Sequence, residues 1–238
     1  MKPLLVFENV TKRYETGEIA LDRVSFSLYE GEFVFLVGPS GAGKSTVTKL
    51  AIREELPTEG RIIFEGEDIT KITGKKLCEI RRKIGVVFQD FRLLQNRTVY
   101  ENLAFVLEAQ EFPEDIIEDT ILETLDLVGL LHKRDNFPRQ LSGGEQQRAT
   151  IARAIVAKPH ILIADEPTGN LDEQNTWDVI QLLNKINNWG TTVLVATHNV
   201  TVVNSLQKRV IALQNGQIVR DAEGGYHSTK RKRSDKNK

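Results

Sequence analysis

The chain has 238 residues, 40% of them hydrophobic, a single cysteine, and 32 basic against 33 acidic side chains, for a net charge of −1. This length and composition suit one large α/β core with a small inserted lobe, and they exclude an intrachain disulfide or a paired-thiol metal site. No stretch approaches the ~20 apolar residues that a membrane-spanning helix needs, so we expect any membrane role to depend on a partner.

The first part of the chain is predicted to be rich in β-structure. Short apolar runs predict strands near residues 4–7, 24–28, 33–37 and 61–64, with a turn at residues 57–60. The run at 33–37 is apolar throughout, which is typical of a strand buried on both faces. It leads directly into a glycine-rich segment.

That segment, GPSGAGKST at residues 38–46, has the complete pattern of a phosphate-binding P-loop, directly after a strand. Its glycines let backbone N–H groups turn toward phosphate oxygens, and a helix beginning near Lys44 points its positive dipole end at the same place. Lys44 can reach the β- and γ-phosphates, and the Ser45 hydroxyl can ligate Mg²⁺. The nucleotide-binding residues expected here are Gly38, Pro39, Ser40, Gly41, Ala42, Gly43, Lys44, Ser45 and Thr46.

The middle of the chain is predicted to be helical. Residues 102–109 and 114–128 have apolar side chains at helical spacing, and the second of these segments opens after Pro113. We expect them to form a lobe at about residues 90–157, inserted into a single domain that spans residues 1–225. In LSGGEQQR, at residues 141–148, Ser142 and Glu145 match a capping box that directs backbone donors at an anion, although an ordinary capped helix would give the same local pattern.

A second apolar strand, at residues 161–164, ends in two carboxylates. Asp165 is expected to hold Mg²⁺ through water, and Glu166 to orient the attacking water or accept its proton. A solvated acidic strand end before Pro167 is the alternative. Further strands are predicted at 192–196 and 210–213, the latter joined to residues 218–219 as a hairpin. His198 follows the strand at 192–196, on the side where ligands bind in open parallel sheets.

The end of the chain is basic. From Gly224 onward six basic residues outnumber one acidic residue, so this end carries +5 and the rest of the chain −6. Residues 226–238 are expected to be a disordered tail, either simply solvated or weakly attracted to an anionic membrane face or nucleic acid. No base-reading motif is present, so no specific nucleic-acid partner is expected.

In this order, the motifs resemble those of the nucleotide-binding subunit of ABC (ATP-binding cassette) systems, from Leu4 to about Gly225. The resemblance implies an α/β fold of the P-loop NTPase class, with a RecA-like parallel sheet core, an antiparallel β edge and the inserted helical lobe. It also implies an ATP hydrolase that uses ATP and Mg²⁺ and forms a homodimer on ATP binding. Ser142, Gly143 and Gly144 would then bind the γ-phosphate of a nucleotide held by the second copy.

Single residues acquire roles from the same resemblance. Tyr14 would stack on adenine, and Gln89 would meet Mg²⁺ and sense the γ-phosphate. Asp172, in the segment at residues 170–172, would cross the dimer interface. His198 would contact the γ-phosphate beside the catalytic Glu166.

Within the family, IGVVFQDFRLL at residues 84–94, followed by TVYENLAF at 98–105, resembles the cell-division branch of the FtsE type. This implies an FtsX-like permease homologue as integral membrane partner, regulation of cell-wall hydrolysis, and a peripheral location on the cytoplasmic face of the bacterial membrane. Phe91, Leu93 and Leu94 are expected to be exposed apolar anchors for that partner, with Arg92 at the rim.

Two other roles within the family share these motifs. The ATPase subunit of a transporter, such as an amino-acid importer or a lipoprotein exporter, would carry the same catalytic residues and differ in its partner and docking surface. A soluble ABC protein of translation or DNA repair is the third, and the single cassette without a coiled-coil insertion argues against it.

Overall fold

The computed structural model of the protein describes residues 2–225, so the basic tail expected at residues 226–238 lies outside the described residues. The strands are β1 Pro3–Arg13, β2 Ile19–Tyr29, β3 Phe33–Val37, β4 Glu59–Phe64, β5 Glu67–Asp68, β6 Ile84–Val87, β7 Ile161–Asp165, β8 Thr192–Thr197, β9 Arg209–Gln214 and β10 Gln217–Ala222. The α-helices are α1 Lys44–Ala51, α2 Gly74–Arg82, α3 Val99–Ala109, α4 Glu114–Leu127, α5 Gly143–Ile155, α6 Glu173–Asn188 and α7 Val200–Leu206. Short 3-10 turns lie at Leu131–Lys133 and Pro138–Gln140.

The strands form two sheets. The larger sheet has the order β10-β9-β3-β8-β7-β6, and all its strands run parallel except β10, which forms an antiparallel hairpin with β9. The smaller sheet is antiparallel, with the order β2-β1-β4-β5. The predicted fold class, a parallel sheet core with an antiparallel β edge, is therefore confirmed.

The parallel sheet is buried on both faces, because successive side chains of its central strands enter two different hydrophobic clusters. In β3, Phe33, Phe35 and Val37 pack with residues of helices α3 to α6. Val34 and Leu36, which point the other way, pack with α1 and the antiparallel sheet. This double burial explains the continuous apolar sequence of β3, which an alternating half-buried strand would not have.

Helices α3, α4 and α5 pack against one another between β6 and β7 in the chain. The buried side chains at their contacts include Leu103, Leu107, Ile121 and Leu125. These helices occupy the stretch predicted as an inserted lobe; its boundaries at 90 and 157, and the single-domain assignment, stay predictions.

Several predicted boundaries were wrong by a few residues. Helix α3 begins at Val99 rather than at residue 102, because Thr98 and Glu101 form a capping box in which each side chain accepts a hydrogen bond from the other residue's backbone N–H. The turn predicted at residues 57–60 is shorter, since β4 already begins at Glu59, which pairs with Thr11 of β1. In the part of the chain that the structure describes, no helix has the length and apolarity to cross a membrane.

The loop between β6 and α3 is held by one buried amide. Asn102 has no exposed surface; its Oδ1 accepts from Leu94 N at 2.8 Å, and its Nδ2 lies 2.8–3.2 Å from the carbonyl oxygens of Leu94, Arg97 and Thr98. Leu94 N and Arg97 O have this side chain as their partner, whereas Leu94 O and Thr98 O also accept from the backbone N–H groups of Arg97 and Asn102.

This arrangement predicts that Asn102→Ala lowers the free energy of unfolding by about 2 kcal/mol, because Leu94 N and Arg97 O lose their side-chain partner. Chemical denaturation of the two proteins measures the difference. The matched control is Asn96→Ala, in the same loop but exposed, which should change the value by less than about 0.5 kcal/mol. Equal losses in the two variants would contradict the structural role of Asn102.

Candidate active site

The predicted site residues follow the carboxyl ends of four neighbouring strands. The P-loop follows β3, His198 follows β8, and Gln89 follows β6. Asp165 is the last residue of β7, and Glu166 follows it. Because parallel strands end at the same edge of a sheet, their adjacent order brings these loops together. One pocket at this edge is lined by Tyr14, Glu18, Ala20, Pro39, Ser40, Gly41, Gly43, Lys44, Ser45, Thr46, Gln89, Glu166 and His198.

The P-loop backbone needs glycine at two positions. A Cβ at Gly43, where φ is 104°, would lie 2.5 Å from Ala20 O, and a Cβ at Gly38 would lie 2.4 Å from Leu213 O. Gly43 is also the N-cap of α1 and provides no side-chain cap, so the first N–H groups of α1 have no side-chain acceptor there. The loop can therefore present these N–H groups to an anion.

Lys44 and Glu166 lie together beside this loop. The Lys44 side chain is nearly buried; its Nζ donates to Gly38 O at 2.9 Å and to Pro39 O at 3.2 Å, and lies 3.4 Å from Glu166 Oε1. His198 Nδ1 lies 3.0 Å from both Glu166 carboxylate oxygens. Glu166 has a left-handed φ of 48°, fixed in part by its N–H, which donates to Ala196 O. The carboxylate thus lies between a buried ammonium and an exposed imidazole.

The ionised form of Asp165 is disfavoured by its surroundings. Burial raises its pKa, and the negative charge of Glu166 adds to this, while a hydrogen bond with Ser45 and the charge of Lys44 act in the opposite direction. Its Oδ1 is buried and has no hydrogen-bond partner. A buried carboxylate oxygen without a partner, next to a serine hydroxyl, fits the oxygen ligands that Mg²⁺ prefers.

Tyr14 lies at the rim of the pocket. Its hydroxyl is 3.4 Å from Thr46 Oγ1, and Lys12 Nζ lies 5.1 Å from the centre of its ring. Glu18, which the sequence interpretation missed, joins the same rim because the chain turns back and Tyr14 N donates to Glu18 O. Gly17, which adopts a φ of 87°, is the residue in the sequence that could have predicted this turn and so the position of Glu18 beside Tyr14.

The other predicted phosphate-binding residues do not line this pocket. Ser142 caps α5, as predicted: its Oγ accepts from Glu145 N, and Glu145 Oε2 accepts from Ser142 N at 2.8 Å. The backbone hydrogen bond from Ser142 is the main reason that the pKa of Glu145 is lowered. Ser142 and Gly143, which are exposed, therefore form a separate surface at the start of α5, while Gly144 is buried.

Asp172 belongs to that second surface. Its Oδ1 accepts from Asn175 N at 2.8 Å and caps α6, and its pKa is lowered mainly by this hydrogen bond. Asn175 Nδ2 donates to Asp172 Oδ2 at 2.7 Å. A Cβ at Gly144 would lie only 2.0 Å from Asn175 Oδ1, so the first turns of α5 and α6 are in close contact.

The segment after Gln89 corrects one expectation. Leu93, predicted to be an exposed anchor, is only 6% exposed, because it packs in the hydrophobic cluster that also contains buried residues of helices α3 to α6. Phe91 and Leu94 are partly buried, and Arg92 is exposed with its guanidinium 3.7 Å from the centre of the Phe88 ring. The exposed apolar surface here is therefore smaller than the sequence suggested.

Comparisons with known proteins agree on one family. Residues 21–169 match the family model described as "ABC transporter". The cell division ATP-binding protein FtsE of Bacillus subtilis is 52% identical over 226 residues, covering 95% of this chain and 99% of that protein. FtsE of Escherichia coli K12 is 46% identical over 215 residues, covering 90% and 97%.

Solved structures give the same result. A dimeric structure of the ATP-binding cassette MJ0796, in a post-hydrolysis state bound to ADP and Pi, is 37% identical with a TM-score of 0.84, covering 92% of this chain and 98% of that one. CbiO1 of Clostridium perfringens, part of the ABC transporter complex cbiONQ, is 29% identical with a TM-score of 0.86, covering 94% and 89%.

The raised pKa of Asp165 predicts that Asp165→Asn stabilises the nucleotide-free, metal-free protein at pH 7. A carboxylate with a raised folded-state pKa favours the folded state at acid pH, and this contribution is lost as the pH rises through that pKa. The variant should melt a few degrees higher at pH 7, since about 1 kcal/mol shifts Tm by about 2–4 °C in a chain of this size.

Thermal melts in EDTA from pH 7 down into the acid range test this prediction. The difference between variant and wild type should shrink as the pH falls and Asp165 becomes protonated. Asp119→Asn, an exposed aspartate on α4, is the matched control and should give no such trend. A variant that is less stable than wild type at pH 7 would contradict the burial cost assigned to Asp165.

Proposed function

The chain belongs to the ABC family and is an ABC-type ATP hydrolase; on this premise we propose that it acts as a dimer on an FtsX-like integral membrane protein in bacterial cell division. Its task there would be to regulate cell-wall hydrolysis from the cytoplasmic face of the membrane, where it would be peripheral. Identities of 46–52% to FtsE proteins over most of both chains support the division role.

One observation carries the catalytic part of the proposal: Glu166 lies within 3.4 Å of the P-loop Lys44 and 3.0 Å of His198. The P-loop and Lys44 would bind the β- and γ-phosphates of ATP, and Tyr14 would stack on the adenine. Glu166 would orient the attacking water and accept its proton at the carboxylate. His198 would hold Glu166 in place from the exposed side and contact the γ-phosphate.

Mg²⁺ fits the same site. Ser45 and Asp165, together with Gln89, would hold the ion, and it would neutralise charge on the β- and γ-phosphates. The partnerless Asp165 Oδ1 supports this assignment. Lys44 would share the neutralisation, since its ammonium is held at the same loop by Gly38 O and Pro39 O.

The proposal of a dimer rests on the separation of the two phosphate-directed surfaces. Ser142, Gly143 and Gly144 carry a capped helix N-terminus but do not line the pocket that contains Lys44. A second copy could bring its own Ser142 surface to this pocket, with Asp172 at the contact between the copies. The dimeric form of MJ0796, which is 37% identical, supports this arrangement.

A transport role is the second candidate, and the similarity to cassettes of transporters favours it. The catalytic residues would be the same in both roles. The difference would lie in the surface near Phe91 and Leu94, which is partly buried and small, and therefore in the membrane protein that it contacts.

The proposed role of Glu166 predicts that Glu166→Gln retains ATP binding and lowers turnover by about 10²- to 10⁴-fold, because the amide cannot accept the proton. The bound nucleotide should then hold the two copies together as a stable dimer. Steady-state phosphate release and light scattering with ATP and Mg²⁺ measure the two effects. Glu118→Gln on α4, exposed and remote from the pocket, should behave as wild type, whereas a monomeric Glu166→Gln protein with normal turnover would refute the mechanism.

The membrane role predicts which protein accompanies the trapped dimer. Tagged Glu166→Gln protein, purified with ATP and Mg²⁺ from its native membranes, should bring with it a membrane protein with few spans and a large extracellular loop, identified by mass spectrometry. The control is the same preparation without nucleotide. A many-span permease with a substrate-binding protein would instead establish the transport role, and recovery with ribosomes or DNA would overturn both.

A further inference from the structure

Arg153, on the last turn of α5, is a half-buried cation without a carboxylate partner among residues 2–225. Its guanidinium donates to Arg92 O at 2.5 Å and to Phe91 O at 3.2 Å. Partial loss of contact with water lowers the pKa of this guanidinium, with no opposing contribution from an acidic neighbour. A half-buried guanidinium needs hydrogen-bond acceptors in place of the water it has lost, and here those acceptors are the peptide carbonyls of residues 91 and 92.

The two carbonyls belong to an unusual piece of backbone. Phe91 and Arg92 both have left-handed φ values, 55° and 52°, although neither is glycine. The hydroxyl of Thr150, one turn before Arg153 on α5, lies 3.2 Å from Phe91 O. Helix α5 thus binds two successive strained residues from one side, and such strain persists only where the surroundings enforce it.

The position of this strained pair connects the two surfaces of the site. Gln89, which lines the nucleotide pocket, lies two residues before Phe91. Ser142, at the other end of α5, lies 11 residues before Arg153, which corresponds to ~16 Å of helix. A rigid helix therefore joins the Ser142 surface to the backbone that carries Gln89.

We propose that Arg153 is a positioning residue for ATP hydrolysis: it holds the left-handed pair Phe91–Arg92 against α5 and so fixes Gln89 relative to the surface that begins at Ser142. This inference rests on the roles proposed above for Gln89 and Ser142. Nucleotide binding to the P-loop does not require the contact, because Lys44 and the loop glycines are held by β3 and α1.

The test compares Arg153→Ala and Arg153→Lys with a matched control, Arg81→Ala. Arg81 also donates to two successive carbonyls, those of Ile52 and of Arg53, which has a left-handed φ of 61°, and these hydrogen bonds lie outside the segment from Gln89 to Arg92. Removal of Arg153 should lower kcat about tenfold and leave the dissociation constant for a fluorescent ATP analogue within about threefold. Arg81→Ala should leave kcat within about twofold at a similar loss of Tm.

Arg153→Lys keeps the charge and can reach one carbonyl, so its kcat should lie between those of wild type and Arg153→Ala. It is also the variant to use if Arg153→Ala does not fold.

A second substitution tests the backbone strain at residue 92 directly. Arg92→Gly removes the cost of the left-handed φ, so in the Arg153→Ala background it should recover several-fold in kcat. In the wild-type background it should bring no such gain.

Three results would overturn the inference: normal kcat in the Arg153 variants, a loss of kcat no larger than that of Arg81→Ala, or no recovery with Arg92→Gly. These outcomes are separable from failure of the proposed function. If Glu166→Gln had the same turnover as the wild type, the catalytic role assigned to Glu166 would itself be refuted. If Glu166→Gln is inactive and the Arg153 variants match Arg81→Ala, only the role of Arg153 is refuted.

Discussion

The active site depends on a parallel sheet that is buried on both faces. In β3, β7 and β8 alternate side chains enter two separate hydrophobic clusters, so a shift of one residue would send each set into the wrong cluster. The register is therefore fixed, with Val37 opposite Thr197 and Asp165 opposite Ala196. Because the register fixes where each strand ends, it also sets the spacing of the P-loop, the acidic pair and His198.

The charged residues at this edge of the sheet lower the free energy of unfolding of the ligand-free chain. Asp165 is an acidic group whose burial opposes ionisation, and Glu166 adopts a left-handed backbone that costs about 1–3 kcal/mol in a residue of this type. Lys44, nearly buried, offsets part of the cost by its contacts with Glu166 and the loop carbonyls. The surrounding core can bear these local costs, and a ligand that binds these groups only in the folded state would stabilise the chain.

Motifs with a local physical cause could be read from the sequence, whereas contacts made by distant segments could not. The P-loop pattern lies within nine consecutive residues, and the capping box at Ser142 needs only residues three apart. The carbonyls of Leu213 and Ala20, which leave no room for a Cβ at Gly38 and Gly43, come from other strands and could not be predicted from the P-loop segment. Helix α6, which carries few apolar residues in its first turn, gave no comparable signal. The burial of Leu93 depends on its packing with residues of other segments, and the sequence of its own segment could not predict that packing.

The glycines after Ser142 illustrate why a motif can have two causes at once. The resemblance assigns Gly143 and Gly144 to phosphate binding, yet Gly144 also has a packing constraint within its own chain. A side chain at Gly144 would displace Asn175, whose N–H and Nδ2 both bond to the carboxylate of Asp172. A larger residue at 144 would therefore disturb the start of α6 as well as any phosphate contact. Since α5 also binds the backbone beyond Gln89 through Thr150 and Arg153, one helix contacts both the first turn of α6 and the segment that follows Gln89. The positioning role proposed for Arg153 uses this helix as its single rigid connection.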